Sequence, residues 1–293
     1  MTDTPGERLR QLVAESTIQI PGAPSALAGR LVERMGFDAV YLSGASLSSN
    51  VLALPDVGLL TLTELTQQLT YLSRSVEIPI IVDADTGFGD VVNVERTVVE
   101  LEAAGAAAIQ LEDQQLPKKC GHLSGKALVE PRAMVAKIHA AVNARSDDST
   151  VIIARTDARG VTGMADAIAR AHRYLEAGAD WIFPEALTSR EEFEAFAREV
   201  DAPLIANMTE FGKGPLLTIH ELAELGYSAV LYPVTLQRVA MKAMETALAV
   251  LGSDGTQHEL LDLMQTRDEL YDLLEYRQFE QRDEAYFSGE EPT

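Results

Sequence analysis

Cys120 is the lone cysteine of this 293-residue chain, and it lies in the stretch Lys118-Lys119-Cys120-Gly121-His122. A thiol titrates near ~8.5 in isolation and lower beside Lys or protonated His. A group poised near neutrality serves as general acid or base, or as nucleophile, and the composition alone does not choose among these. Free cysteine is usually buried, so a basic segment with glycines at 121 and 125 points to a working thiol rather than an inert loop residue. Asp83 and Asp85 form a second candidate. Near the end of an extended strand, residues two apart point the same way, and two carboxylates on one face repel unless a cation sits near them. Oxygen ligands suit Mg²⁺ or Mn²⁺, and Glu112 could join that shell. An isolated Asp-x-Asp is more often a turn or a helix cap, so its position must decide. Zinc is disfavoured, because no His-Glu-x-x-His and no Cys-x-x-Cys occurs. His139, His172, His220 and His258 fall in helical patterns or near helix starts and read as structural.

The elements that must position these groups follow a repeated grammar. The stretches at 31–44, 100–113, 174–186 and 221–234 each run from an apolar-periodic segment through a glycine to a short apolar strand. Glycine just past a helix is the usual stop, since it enters the left-handed region without steric cost. Four further apolar runs, at 17–23, 78–85, 151–157 and 202–210, complete eight strands with helical patterns between them. The runs lack alternation, as strands buried on both faces do. Eight alternating units predict an α/β fold of the (β/α)₈ barrel type. An open doubly wound sheet is the alternative, but no G-x-G-x-x-G opens a helix and no P-loop is present. From about Gly252 the pattern becomes purely helical. We therefore expect one domain over 1–293, with a C-terminal helical extension whose apolar face caps the barrel or packs on a neighbouring subunit. The closing SGEEPT reads as disordered.

Polar residues gather where the strands end: Tyr41 to Gly44, Asp83 and Asp85, Glu112 and Asp113, Arg155 to Asp157, Glu185, and Asn207 to Glu210. In a (β/α)₈ barrel these ends form one rim, where catalytic groups converge. Loops are polar in any case, but so many acids with an arginine favour a site. The segment carrying Cys120 leaves the fourth strand on that same rim.

The formal charge of −21 argues against nucleic acid and against an anionic membrane as partners. An anionic substrate then needs a local island of positive charge or a metal. One cysteine makes no intrachain disulfide, the N-terminus lacks a signal-like apolar run, and no segment approaches a membrane span, so a cytoplasmic protein is expected.

Read together, KKCGH, YLSGA, LPDVGLLTLTE, VDADTGFGD, IQLEDQ, IIARTDA, FPEA, ANMTEFGK and MQTRDELY resemble the isocitrate lyase / phosphoenolpyruvate mutase superfamily, specifically its carbon–carbon lyase branch. The resemblance runs from about Ile18 to Tyr276. It implies a barrel whose late helices are exchanged between partners, in dimers that pair into a homotetramer. It implies Mg²⁺ near Asp83 and Asp85, with Asp56 and Glu112 in the surrounding network. It implies a small di- or tricarboxylate substrate touching Ser43, Gly44, Ala45, Cys120, Gly121, Arg155, Glu185, Asn207, Met208, Thr209, Arg238 and Arg267. Two departures concern pocket shape: Ala45 and Ala53 stand where glycine is common in relatives.

The reaction so implied splits 2-methylisocitrate into pyruvate and succinate. A base takes the tertiary hydroxyl proton, the C–C bond breaks, and Cys120, entering as the neutral thiol, protonates the succinate carbanion. Lys118, Lys119 and His122 would ease formation of the thiolate afterwards. Tyr41 is the candidate base, and Phe183 either meets the substrate methyl or packs the barrel. The arginines would grip carboxylates in bidentate pairs. The segment around Cys120 has the character of a closing lid. Isocitrate, 2,3-dimethylmalate and oxaloacetate are alternative substrates. A Schiff-base aldolase would need a desolvated lysine in a strand, which is absent. A non-catalytic oligomeric binding protein is the rival outside enzymes.

Overall fold

The structure is a computed structural model and describes residues 3–288. Apart from Ser288, the SGEEPT end lies outside them. The chain forms two compact units, residues 1–237 and 238–293.

In the first unit all eight expected strands are present: β1 (Ile18–Pro21), β2 (Val40–Leu42), β3 (Ile80–Asp83), β4 (Ala108–Glu112), β5 (Val151–Thr156), β6 (Trp181–Pro184), β7 (Ile205–Asn207) and β8 (Ala229–Tyr232). Nine helices of this unit accompany them: α1 (Pro5–Glu15), α2 (Ala26–Arg34), α3 (Gly44–Asn50), α4 (Leu62–Ser73), α5 (Val91–Ala103), α6 (Pro131–Ala144), α7 (Met164–Glu176), α8 (Arg190–Glu199) and α9 (Ile219–Glu224). A tenth, α10 (Thr235–Asp254), starts in this unit and continues into the second. Every strand pairing is parallel, in the ladders β1-β8-β7 and β2-β3-β4-β5-β6. Single parallel bridges, Gly22 with Tyr41 and Ile182 with Leu204, link the two ladders. The neighbour order is therefore that of a (β/α)₈ barrel, carried across two seams by bridges instead of continuous ladders.

The glycine grammar has its physical counterpart. Gly36, Gly105, Gly178 and Gly226 all take positive φ, between 82° and 103°, just past the ends of α2, α5, α7 and α9. Helix starts are set by side-chain caps. Thr4, Thr61 and Thr218 each close a capping box with the glutamate three residues on.

The strands are buried on both faces, as their unbroken apolar runs require. One row, with Val40, Leu42, Ile80, Val82, Ile109, Leu111, Ile152, Ala154, Ile182, Ala206 and Val230, packs with the helices. The alternate row, with Ile18, Ile20, Tyr41, Ile81, Ala108, Ile153, Trp181, Phe183, Ile205 and Leu231, forms a separate inner cluster that includes Leu9 of α1. The period of two along a strand then dictates the site. Continuing the inner row toward the C-terminal ends gives Tyr41, Asp83, Gln110, Glu112, Arg155, Glu185 and Asn207.

The second unit holds most of α10, a 3₁₀ turn (His258–Leu263), α11 (Arg267–Leu273) and α12 (Tyr276–Ser288). Tyr271 stacks on Tyr276 with ring centroids 4.6 Å apart. Leu260 and Leu273 are buried, whereas α10 buries none of its residues. No helix among the described residues is long and apolar enough to cross a membrane.

Candidate active site

Asp83 ends β3, and both of its oxygens are engaged. Gln110 Nε2 donates to Oδ1 at 3.1 Å, as does the Asp85 N–H at 3.2 Å, while the Gly44 N–H donates to Oδ2 at 3.2 Å. The chain then turns sharply. Asp85, Gly87, Phe88 and Gly89 all have positive φ, and Asp85 and Phe88 adopt it without being glycine. Such backbone strain persists where the surroundings over-determine it, commonly at functional sites. Gly44 must be small here, because a Cβ would lie 3.3 Å from Asp85 Oδ1 and 3.4 Å from Asp83 Oδ2. Ser43 caps α3 from the same corner by accepting the Ser46 N–H. The Asp85 carboxyl is pushed up to about 7, by burial first and then by the charge of Asp83, with Lys118 opposing.

Lys118 departs from expectation. Its ammonium lies 2.5 Å from Asp85 Oδ1 and also pairs with Asp56, instead of serving the thiol. The cause is electrostatic: a buried acid and a half-buried one together hold a cation more firmly than a solvent-facing sulfur does. His122 departs likewise. Its Nε2 lies 2.8 Å from Glu185 Oε1, and its Nδ1 accepts the Lys213 N–H at 3.0 Å. That leaves the ring proton on Nε2, facing the carboxylate. Cys120 itself is exposed. Its neighbour Gly121 is pressed into the site, where a Cβ would lie 2.5 Å from Arg155 Nη2 and from Glu185 Cδ and Cγ. The thiol-bearing segment therefore lies over the rim that carries the acids.

Arg155, at the inward end of β5, faces three acids. Nε donates to Asp157 Oδ2 at 3.0 Å and lies 3.5 Å from Glu185 Oε2, and Nη1 lies 3.3 Å from Glu112 Oε2. Its guanidinium also sits over the Phe183 ring, 5.4 Å from the centroid. Phe183 is fully buried in the inner cluster, where it packs the barrel. Burial alone would raise the Glu185 carboxyl, but Arg155, His122 and Lys126 outweigh it and hold it down at about 2. Glu112 is pushed well above the carboxylate range by burial, with Arg155 and Lys118 only partly offsetting it.

Tyr41 donates its hydroxyl to Gln110 Oε1 at 2.8 Å. Burial, with Asp83 close by, pushes its phenol well above the ordinary range. It therefore stands as a proton-bearing donor, which does not suit the role of base. Asn207 donates to Glu185 Oε2 at 3.2 Å, and Met208 is buried with its sulfur accepting the Leu217 N–H. Ala45 and Thr209 are half-buried. Arg238, in α10, and Arg267, which opens α11, belong to the second unit. Sequence reasoning missed Gln110, which orients both Asp83 and Tyr41. Its signal was present, since Gln110 and Glu112 are two apart in β4 and share the inner face. Lys126 and Gln114 were missed as well, and Asp157 was placed on the rim without a role.

The acids fit a divalent cation. Asp56, Asp83, Asp85, Glu112, Asp157 and Glu185 converge on Lys118, Lys126 and Arg155, which leaves negative charge in excess. Glu112 is buried, yet neither of its oxygens accepts a hydrogen bond. Among the described residues no three acids or histidines form a ready-made metal cage. Mg²⁺ does not require one, since it keeps waters and recruits substrate oxygens around one or two carboxylates.

Known proteins fall in line with this geometry. The model of the phosphoenolpyruvate phosphomutase family matches residues 9–251. A 2-methylisocitrate lyase of Aeropyrum pernix is 56% identical, over 96% of this chain and 91% of its own length. The Escherichia coli 2-methylisocitrate lyase is 42% identical, over 97% of each. Among solved structures, a 2,3-dimethylmalate lyase superposes with a TM-score of 0.91 at 33% identity, covering 100% of both chains. A phosphonopyruvate hydrolase in complex with oxalate and Mg²⁺ superposes at 0.89 with 30% identity, covering 97% of this chain and 100% of its own. The chain belongs to the phosphoenolpyruvate phosphomutase family, within the isocitrate lyase / phosphoenolpyruvate mutase superfamily, and is an enzyme of its carbon–carbon lyase branch.

Proposed function

We propose that the enzyme cleaves 2-methylisocitrate to pyruvate and succinate, with Cys120 as the general acid, in the catabolism of propionate through the methylcitrate cycle. The observation that carries this reading is the seat of Gly121 against Arg155 and Glu185. It brings the thiol segment over the same rim as Asp83 and Asp85. The most similar relatives named above bear the same activity in their names.

The chain's own groups divide the work. Arg155 takes a substrate carboxylate, its guanidinium already oriented by Asp157 and Phe183. Asp83, Asp85 and Glu112, with Asp56 in the outer network, would hold Mg²⁺, whose Lewis acidity stabilises negative charge on substrate oxygens. Gly44 N–H and Gln110 fix the Asp83 carboxylate for that purpose. The hydroxyl proton leaves to a carboxylate of this group. Of these, Glu112 keeps both oxygens free of hydrogen bonds within the chain, and Tyr41 keeps its proton and orients Gln110. The bond between the carbinol carbon and its neighbour then breaks. Its electron pair passes to the succinate fragment, and Cys120 Sγ delivers a proton to that carbon. Ser43, Ala45, Asn207, Met208 and Thr209 complete the pocket wall, while the part of Arg238 and Arg267 rests on the resemblance. A thiol in this role suits a reducing compartment, and the cytoplasm is the proposed location. A homotetramer of helix-exchanged dimers is proposed as the working assembly, since α10 buries no residue within one chain.

A Schiff-base mechanism is disfavoured. Burial alone would lower the Lys118 ammonium, but Asp85 and its neighbouring acids outweigh that and hold it charged. The deciding assay follows pyruvate release from 2-methylisocitrate, isocitrate and 2,3-dimethylmalate in parallel, with and without EDTA, and oxaloacetate hydrolysis alongside. The expected result is metal-dependent release, fastest from 2-methylisocitrate. Faster turnover of any competitor reassigns the substrate, and undiminished turnover in EDTA removes the metal from the reaction.

A further inference from the structure

Lys126 is a buried lysine that the reaction does not use. Its side chain is 1% exposed, and its ammonium lies 2.5 Å from Asp157 Oδ1, on a side chain that is 0% exposed. The same ammonium donates to the backbone carbonyl of Gly121, five residues back. The segment from Gly121 to Lys126 is thereby tied into a closed strap, tightened by the Leu123 N–H donating to the Cys120 carbonyl at 2.9 Å.

Asp157 is an anchor that cannot follow the strap. Its N–H is held by Asp113 Oδ1 at 2.9 Å. Asp113 in turn accepts from Thr156 and Tyr174, each at 2.8 Å, and from Arg170 of α7 at 3.3 Å. Asp157 also holds Arg155 in a fork, Nε to Oδ2 at 3.0 Å and Nη2 to Oδ1 at 3.3 Å. One carboxylate is thus shared between the lid lysine and the arginine of the site. On the other side of Cys120, Lys119 is clamped by Gln114: its carbonyl accepts from Nε2 at 2.9 Å, and its N–H donates to Oε1 at 3.0 Å. The chain on both sides of the thiol is therefore fixed to the frame, at Lys119 through a side-chain amide and at Gly121 through a lysine held in a buried ion pair.

We infer that Lys126 is a positioning residue that pins the Cys120 segment in its closed place, and that Asp157 couples this closure to the orientation of Arg155. Removing the lysine frees the Gly121 peptide and leaves the Asp157 carboxylate to Arg155 alone. This deepens the reading of Cys120 as proton donor in its kinetic consequence, whereas the closure itself stands without it.

Lys126→Met, which keeps the length and loses the charge, is the test. Amide exchange is followed by mass spectrometry on the unliganded full-length protein, with kinetics in parallel. Amides of residues 119–126 should exchange at least tenfold faster while those of β4 and β5 stay protected, and kcat should fall at least tenfold with KM changed less than threefold. Unchanged exchange over 119–126 overturns the inference, whatever the activity. Faster exchange with unaltered kcat leaves the pin in place and instead removes Cys120 from the chemistry, so the two readings fail separately. If β4 and β5 also lose protection, Lys126→Arg carries the test. It retains the charge and should keep lid protection and kcat within fivefold of the parent, and loss of both with protected strands overturns the inference.

Discussion

The buried carboxylates respond to pH in opposite senses, and the signs can be worked out. Asp85 rises from an unfolded value near ~3.9 to about 7 in the folded chain. The folded state thus holds the proton more tightly, and metal-free stability falls as pH climbs through that window. A bound cation cancels the repulsion that appears there. We expect the melting temperature to gain more from Mg²⁺ at pH 8 than at pH 5, measured by scanning fluorimetry; an equal gain would remove the acid pair from metal binding. Glu185 moves the other way, from an unfolded value near ~4.3 down to about 2. Its contribution is present above 4.3 and lost as pH falls toward 2. Glu185→Gln should therefore flatten the acid limb of the stability curve. Cys120→Ser should keep the fold, by circular dichroism, and reduce cleavage about a hundred- to ten-thousand-fold, the range for losing a general acid. Turnover like the parent's in that variant ends the acid assignment.

At the scale of elements, the site is a consequence of strand period and loop tightness. The period of two sends Tyr41, Asp83, Gln110, Glu112 and Arg155 to one interior once the parallel ladder from β2 to β5 forms. The loops then add what strands cannot. Gly121 lets the lid backbone touch Arg155 and Glu185. Gly121→Ala should hold the lid off by about a methyl group, and misplacement on the order of 1 Å costs roughly a hundredfold in rate. We expect that loss in kcat with melting temperature within a degree or two of the parent, since the residue lies in a loop. Full activity would mean that the close approach is irrelevant to turnover. Ala53 shows the converse: it takes φ of 53°, the left-handed region that glycine enters without steric cost.

At the scale of the molecule, the second unit presents apolar surface. Met241, Met244, Leu248 and Leu251 recur along α10 at spacings of three and four and are all exposed, the stripe by which a helix seeks a partner. A second copy of this chain is the proposed occupant. Light scattering coupled to size exclusion should give an assembly larger than one chain for the parent. Met244→Glu with Leu248→Glu should shift it toward the monomer while barrel ellipticity persists. A monomeric parent at micromolar concentration would exclude the assembly.

What the sequence alone determined was periodic or local. Unbroken apolar runs, glycine stops and threonine caps specify strands and helix ends through steric and hydrogen-bond rules acting within a few residues. The strand ends thereby mark the rim, and with it Asp83, Asp85, Glu112, Arg155 and Glu185. Only the tertiary structure decided which charge meets which. Lys118 and His122 stand two residues either side of Cys120 in sequence, but their nitrogens go to Asp56, Asp85 and Glu185. Lys126 reaches Asp157, 31 residues away in the chain. Charges pair through space at the distances that burial permits, and the order of residues along the chain does not encode those distances.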